Sequence, residues 1–236
     1  MTYYKFRDAC ATKETGAYYP QITEMIKGYD YNAHDSVHNF RKNDFLKKGN
    51  IPNFDTIKMN GLSKITDLIS QCVISGNGFI VSKKLKEILE KYVLPKHWFF
   101  PIKILRRKEL LEDFFWFEIF LEENQLQLVD YPNSTFYKVR NYSLIDKIEQ
   151  MSIKSFEDYK TKDEIISDES KMLYSISSEQ IVLKSPPKMD IFKIGVFDSN
   201  FYISNSLMKE IIESKITGCR IEEATWLFVQ SYKESV

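Results

Sequence analysis

The period of apolar positions changes along the chain, and each change marks an element. Phe54-Asp55-Thr56-Ile57-Lys58-Met59 alternates apolar and polar, the pattern of a half-buried strand, and Asn60-Gly61 supplies a turn after it. Ser63 is placed to cap a helix in which Ile65, Leu68, Ile69 and Cys72 share one face. Gly76-Asn77-Gly78 breaks that run, and Phe79-Ile80-Val81 reads as a short strand. Ser82 then opens the clearest helix, with Leu85, Ile88, Leu89 and Tyr92 at i, i+3, i+4 and i+7. Lys83–Glu87, Lys86–Glu90 and Glu87–Lys91 sit four apart on its wet face. Pro95 stops it.

The pattern from Trp98 to Leu105 is a strand that contains Pro101. Proline cannot donate to a ladder, so an edge strand or a bulge is predicted there. Residues 114–121 and 126–129 read as a hairpin across Glu122-Glu123-Asn124-Gln125, and Phe136 to Val139 as a further strand. Residues 143–170 are charged and predicted partly helical, with Ile148, Met151, Ile153 and Phe156 as buried candidates. Leu173 to Leu183 is mixed, and Ser185-Pro186-Pro187 is a rigid break. Met189 to Val196 and Phe201 to Ile203 are predicted strands, followed by a helix from Ser204. Residues 8–50 show little periodicity and read as loops with at most one short helix. The sum is an α+β fold with mixed or antiparallel sheet and packed amphipathic helices.

The end of the chain repeats an earlier pattern. Phe79-Ile80-Val81-Ser82-Lys83-Lys84-Leu85 is like Phe201-Tyr202-Ile203-Ser204-Asn205-Ser206-Leu207. Two readings are open: a pseudo-duplicated strand–helix–strand unit, or the likeness that any two strand–helix units share. A solenoid is excluded, since arrays need at least three copies.

Length and composition narrow the class. A chain of 236 residues is one large domain or two small ones. We take it as a single α+β domain over 1–236, with a loop-rich part at 1–50 and sub-units at 51–140 and 186–236. Hydrophobic residues at 43% and charged residues at 28% exclude wholesale disorder. The 33 Lys+Arg equal the 33 Asp+Glu, which excludes binding to nucleic acid through overall basicity. Met1 to Asp8 has no basic region followed by an apolar run, so no secretory signal is expected. No stretch approaches the ~18 apolar residues of a membrane span. Cys10, Cys72 and Cys219 are odd in number and far apart, which suggests reduced thiols in a cytoplasmic protein.

Candidate chemistry is sparse. His34-Asp35-Ser36-Val37-His38 places two histidines at i and i+4, the spacing of a zinc-binding helix face, with Asp35 where metalloproteases carry glutamate. Neighbouring residues are poor helix formers, and no third ligand stands at a recognisable spacing. The competing reading is a polar surface turn. Gly76-Asn77-Gly78 lacks the third glycine and the following helix of a dinucleotide fingerprint. Arg106-Arg107-Lys108, with Lys103 nearby and Trp98, Phe99 and Phe100 upstream, is either a basic strip beside aromatics or the solvated end of a strand. No catalytic residue, metal or cofactor is assigned.

The stretch Gly78 to Lys91, followed by His97-Trp98-Phe99-Phe100-Pro101, resembles an element of bacterial immunity proteins from polymorphic toxin systems. So does Asp190-Ile191-Phe192-Lys193 with Tyr202-Ile203-Ser204, Leu207 and Ile216-Thr217-Gly218-Cys219-Arg220-Ile221-Glu222. In that family, once grouped under a domain of unknown function, a V/I-S-x-x-L helix runs into an I-T-G strand. The likeness covers about residues 52–105 and 186–226. It implies an α+β protein that neutralises a cognate toxin by stoichiometric binding, with no catalytic residues, no membrane and no nucleic-acid partner. Ser82 and Ser204 would be caps, Leu85 and Leu207 core, and Gly218 a turn. Toxin contacts would fall on variable loops.

The zero net charge is a cancellation. Residues 1–110 carry 19 Lys+Arg and 11 Asp+Glu (+8), and residues 111–236 carry 14 and 22 (−8). An acidic face suits a basic nuclease-type toxin, so the expected partner-binding residues are Glu222, Glu223, Glu122 and Glu123.

Overall fold

A computed structural model describes residues 2–16, 18–41, 49–120, 127–195 and 200–230. Glu122 and Glu123, with the turn expected at 122–125, lie outside the described residues. The fold is α+β with mixed sheets. The chain forms two compact units, one of residues 6–120 and 206–221, the other of residues 1–5, 121–205 and 222–236.

The first unit is built on a six-stranded sheet of β2 (Ile22–Met25), β3 (Thr56–Met59), β4 (Leu68–Ile69), β5 (Gly78–Ser82), β6 (His97–Arg106) and β7 (Glu109–Ile119), in the order β2-β3-β6-β7-β5-β4. Only the β3–β6 pairing is parallel. One face carries Ile57, Met59, Ile80, Phe100, Ile102, Ile104, Phe114 and Trp116, all buried in one cluster. Short helix α1 (Thr12–Thr15) and helix α2 (Lys83–Leu89) belong to this unit. In α2, Leu85, Ile88 and Leu89 are buried, as the stripe predicts, and Ser82 Oγ accepts from Leu85 N–H at 3.2 Å. Of the pairs expected on its wet face, Lys86–Glu90 closes at 2.6 Å, while Lys91 reaches Glu210 at 3.7 Å instead. Helix α4 (Asn205–Glu213) lies beside α2: Lys84 Nζ donates to the Ser214 carbonyl at 2.7 Å and Tyr92 OH to that of Ser206 at 3.3 Å.

The second unit holds β8 (Thr135–Arg140), β9 (Ser143–Met151), β10 (Tyr174–Leu183) and β14 (Leu227–Val229), ordered β14-β10-β8-β9. β10 pairs with β14 in parallel and with β8 antiparallel. Helix α3 (Phe156–Glu169) packs on β10, where Tyr159 OH donates to the Ile176 carbonyl at 3.2 Å and Asp163 accepts from Ile176 N–H at 2.7 Å. Its start is capped reciprocally. Ser155 Oγ takes Asp158 N–H at 3.2 Å, and Asp158 takes Lys154 N–H at 2.8 Å. The two-residue strand β11 (Ile191–Phe192) pairs antiparallel with β12 (Phe201–Ser204). Val129, Phe136, Ile181, Leu183, Phe192 and Tyr202 form this unit's own core.

Four expectations fail for physical reasons. Segment 63–72 is not a helix. Lys64 N–H goes to the Thr15 carbonyl at 2.9 Å, Leu68 N–H to that of Thr217 at 3.0 Å, and β4 pairs with β5. Acceptors remote in sequence claim the donors, and the helical spacing of apolar residues is coincidental, since Ile65 and Cys72 are exposed. Residues 127–130 do not pair with β7, whose partners are β6 and β5. They run along β10, with Asp130 N–H on the Val182 carbonyl at 2.7 Å. Residues 143–151 are strand, and Ile148 is exposed. Within 8–50, β2 is a strand that the pattern hid, because a bulge between Ile22 and Glu24 breaks its alternation. β1 (Tyr3–Asp8) likewise buries Tyr3 and Phe6 three apart rather than two.

Pro101 is accommodated as proline chemistry requires. β6 is an interior strand, but β3 joins it only from Lys103 onward, and a bulge lies between Ile102 and Ile104. Pro101 therefore pairs with Phe115 on one side, ahead of the parallel pairing on the other.

The two strand–helix entries share one device. Ser82 N–H donates to the Asp67 carbonyl at 2.7 Å, and Ser82 Oγ donates to Asp67 Oδ1 at 2.8 Å. Ser204 N–H donates to the Asp190 carbonyl at 2.9 Å, and Ser204 Oγ to Asp190 Oδ1 at 2.6 Å. In each case the aspartate precedes a two-residue strand antiparallel to the strand that ends at the serine. The likeness is local, covering the strand pair and the helix entry.

Candidate functional site

The division into units redistributes the charge. Residues 6–120 and 206–221 carry 21 Lys+Arg and 16 Asp+Glu (+5), and the remaining residues carry 12 and 17 (−5). A boundary set by packing thus keeps the sign of the asymmetry that a cut at residue 110 shows, at smaller size. Of the expected acidic contacts, Glu222 is partly buried and Glu223 exposed, adjacent on β13 (Cys219–Glu223).

His34 and His38 do not share an α-helical face. They occupy a turn that leads into a 3-10 helix at Val37–Arg41. At three residues per turn, positions i and i+4 diverge. Asn39 Nδ2 donates to the carbonyls of Ala33 and His34, both at 2.8 Å, and the His38 ring lies 4.8 Å from that of Tyr31. The segment is a polar turn held by its own asparagine.

Gly76 and Gly78 serve packing. A Cβ on Gly76 would come within 2.3 Å of Glu118 Oε2, and one on Gly78 within 1.8 Å of the Phe117 carbonyl oxygen. The buried Glu118 carboxylate accepts from Trp116 Nε1 at 2.8 Å and from Asn77 N–H at 3.0 Å, which fixes this loop against β7. Gly218, with φ +80°, has the same role beside β4: a Cβ there would meet the Leu68 carbonyl at 2.0 Å. Asp67 links that region, accepting from Ser82 Oγ and from both Thr217 N–H and Oγ1 at 2.9 Å.

Arg106-Arg107-Lys108 and the aromatics Trp98 and Phe99 lie at opposite ends of β6. Eight residues of strand separate Trp98 from Arg106, about 26 Å at 3.3 Å per residue. Interleaved stacking and phosphate contact is therefore not what this strand presents. At the aromatic end, Lys86 Nζ sits 5.2 Å from the centroids of both Phe99 and Phe115. At the basic end, Arg106 Nε donates to the Ser63 carbonyl and Arg107 Nε to that of Gly61, each at 2.9 Å.

Those two bonds belong to a loop junction that the sequence did not single out. Gly16 bridges Ser63, and Lys64 Nζ donates to the Lys13 carbonyl at 2.8 Å. Buried Gln21 donates through Nε2 to the Lys64 carbonyl at 2.7 Å and accepts Ser70 N–H on Oε1 at 2.9 Å. Its own carbonyl accepts from Asn60 N–H at 3.0 Å. Residues 16 and 21 are both anchored on 60–64, so Tyr18 and Tyr19, each two residues from an anchor, have Cα atoms within about 7 Å of one. On this fixed backbone four large apolar side chains face solvent: Leu62 is 59% exposed, Tyr19 53%, Tyr18 48% and Ile65 42%. Lys13, Lys64, Arg107 and Lys108 are exposed around them, and Arg106 partly so. The nearby Asp8 and Glu14 are less exposed and accept hydrogen bonds. Asp8 accepts from the Tyr19 hydroxyl, and burial pushes its carboxyl above the usual range. Glu14 accepts from Gly218 N–H at 2.7 Å. The residue types alone would have flagged Tyr18-Tyr19, but the partners from 60–66 come into view only with the Gly16–Ser63 bridge.

No helix among the described residues is long and apolar enough to cross a membrane. Among the same residues, no group of three or more His, Cys, Asp or Glu side chains is placed to hold a metal ion. No protein-family model matches the chain, and no curated protein matches it.

Proposed function

We propose that this chain is an immunity protein that binds a cognate bacterial toxin stoichiometrically in the cytoplasm and neutralises it. The observation that carries the reading is the loop junction of the first unit. It presents Tyr18, Tyr19, Leu62 and Ile65 to solvent on a backbone already tied down by hydrogen bonds. A surface ordered before binding loses little further entropy on association, which favours a tight inhibitor. Tyr and Arg beside apolar groups are what binding hot spots use. The resemblance of Gly78 to Pro101 and of Asp190 to Glu222 to toxin-immunity proteins supplies the class of partner.

The test is co-expression with the product of the adjacent toxin gene. Co-purification as a fixed-ratio complex and survival of toxin-expressing cells are expected. Separate elution together with unrescued killing would overturn the proposal. Charge reversal at Glu222 and Glu223 is the companion measurement, and slowed association at low salt is expected if the acidic unit contributes to encounter.

A further inference from the structure

We infer that the junction of residues 13–16 and 18–21 with 60–66 and 106–108 is a docking surface for an acidic protein partner that covers Tyr18, Tyr19, Leu62 and Ile65. The inference deepens the reading of the chain as a stoichiometric binder and rests on it.

Three observations meet at this place. First, four large apolar side chains are exposed on two segments that the Gly16–Ser63 bridge and the Gln21 hydrogen bonds join. Second, the exposed charges around them are mostly positive. Lys13, Lys64, Arg106, Arg107 and Lys108 bring five cations to the junction. The nearby Asp8 and Glu14 are turned to the Tyr19 hydroxyl and to Gly218 N–H, and Glu109 alone of the adjacent acids stands exposed on the β6–β7 turn. Third, the unit that carries the junction is the positive one, at +5. Carboxylates at the rim of a partner would complement these cations, and an apolar centre would cover the four side chains.

The composition favours a protein over a nucleic acid. Leu62 and Ile65 offer neither stacking nor phosphate contact, and both guanidinium Nε groups are used on backbone carbonyls. The sequence pattern directed attention to the acidic side of the molecule. Tyr18, Tyr19, Leu62 and Ile65 instead stand on the basic unit.

The experiment uses the intact chain and a defined probe, the random copolymer poly(Glu,Tyr), followed by fluorescence anisotropy at low and high salt. Binding at ~50 mM salt that weakens at ~0.5 M is expected. A K64E/K108E double variant should bind about tenfold or more weakly, because each reversal replaces an attraction with a repulsion. L62S should also weaken binding, and less steeply with salt. Both variants alter exposed side chains, and unchanged circular dichroism and melting temperature will establish that they fold. Poly-Lys should not bind. Absence of copolymer binding, or equal binding by K64E/K108E, would overturn the inference. So would tighter binding of a single-stranded oligonucleotide, which would make the surface a nucleic-acid site. The same two variants then go into the toxin co-purification. A complex that forms and ignores both leaves the proposed function standing and removes this surface. Copolymer binding without any toxin complex leaves the surface and removes the toxin.

Discussion

The hairpins β6–β7 and β8–β9 are built alike and end differently. Each joins two long antiparallel strands across a two-residue turn, Arg107-Lys108 in one and Asn141-Tyr142 in the other. β7 lies between β6 and β5, and its Phe114, Trp116, Phe117, Glu118 and Ile119 are buried. β9 is the last strand of its sheet. Ile145 is 95% exposed, and Ile148 is exposed as well. Local chemistry makes a hairpin in both cases, while the place in the strand order decides whether its side chains hold the core. β9 also shows how an edge is kept from pairing with a neighbour. Residues 144–146 bulge between the Arg140–Ser143 and Val139–Lys147 pairs, and Asp146, Lys147 and Glu149 put charge along it.

The largest test of this contrast is a pair of truncations. Trp116→Ala removes a fully buried indole and its hydrogen bond to Glu118 Oε2, so a loss of about 3–5 kcal/mol is expected in urea unfolding. Ile145→Ser on β9 should change stability by no more than about 0.5 kcal/mol. Similar losses in both would mean that β9 is covered and the contrast is wrong.

A smaller effect sits in the turn of the exposed hairpin. Asn141 and Tyr142 have φ of 52° and 56°, and a tyrosine is strained there. Tyr142→Gly should raise stability by about 0.5–1 kcal/mol, read as an increase in melting temperature.

The units should also respond oppositely to acid. In the first, partial burial holds Asp8 above its ordinary pKa. Ionising it costs stability, and that cost is absent below the unfolded pKa and complete above the folded one. Asp8→Asn should therefore help most at neutral pH and least near pH 3. In the second, the hydrogen bond from Lys162 and the one from Lys154 N–H hold Asp158 below its ordinary pKa. Its stabilisation is present above the unfolded pKa and fades as pH falls through the folded one. Asp158→Asn should accordingly cost a modest amount at pH 7 and little near pH 2. Parallel acid titrations of the two variants check the signs, and matching slopes would break the distinction.

The finest measurement is chemical. Burial, with Glu14 and Asp67 nearby, pushes the Cys219 thiol up to about 12, whereas Cys10 and Cys72 are exposed. Iodoacetamide at pH 8 should label Cys10 and Cys72 first and Cys219 only after unfolding. Equal labelling of the native protein would show that the Cys219 region opens readily.

Legibility followed the range of the interactions. The β5–α2 step was readable because its signals are local: three apolar strand residues, a serine cap and a stripe at helical spacing. Ser204 and the strand before it were readable for the same reason. Segment 63–72 was not, because its donors are satisfied by Thr15, Thr217 and β5, the second of them 150 residues away. Nor was β9, since an edge strand exposed on both faces has no alternation to display. For the site, the cations Arg106, Arg107 and Lys108 and the sign of the charge contrast were readable. It did not show Leu62 and Ile65 beside Tyr18 and Tyr19, because the Gly16–Ser63 contact that brings them together leaves no periodic trace.

The interleaving of the chain sets an order on its birth. The first unit takes residues 6–120 and then 206–221, and Asp67 awaits Thr217 to fill its lone pairs. During synthesis at about 5–20 residues per second, roughly 5–20 s pass between completion of the first piece and arrival of the second. Through that interval β4 lacks the Thr217 carbonyl that later takes the Leu68 N–H. The second unit is emerging meanwhile and needs Ala224 and Leu227 from still further along. Each unit therefore waits for a late segment of its own, 206–221 for the first and 222 onward for the second.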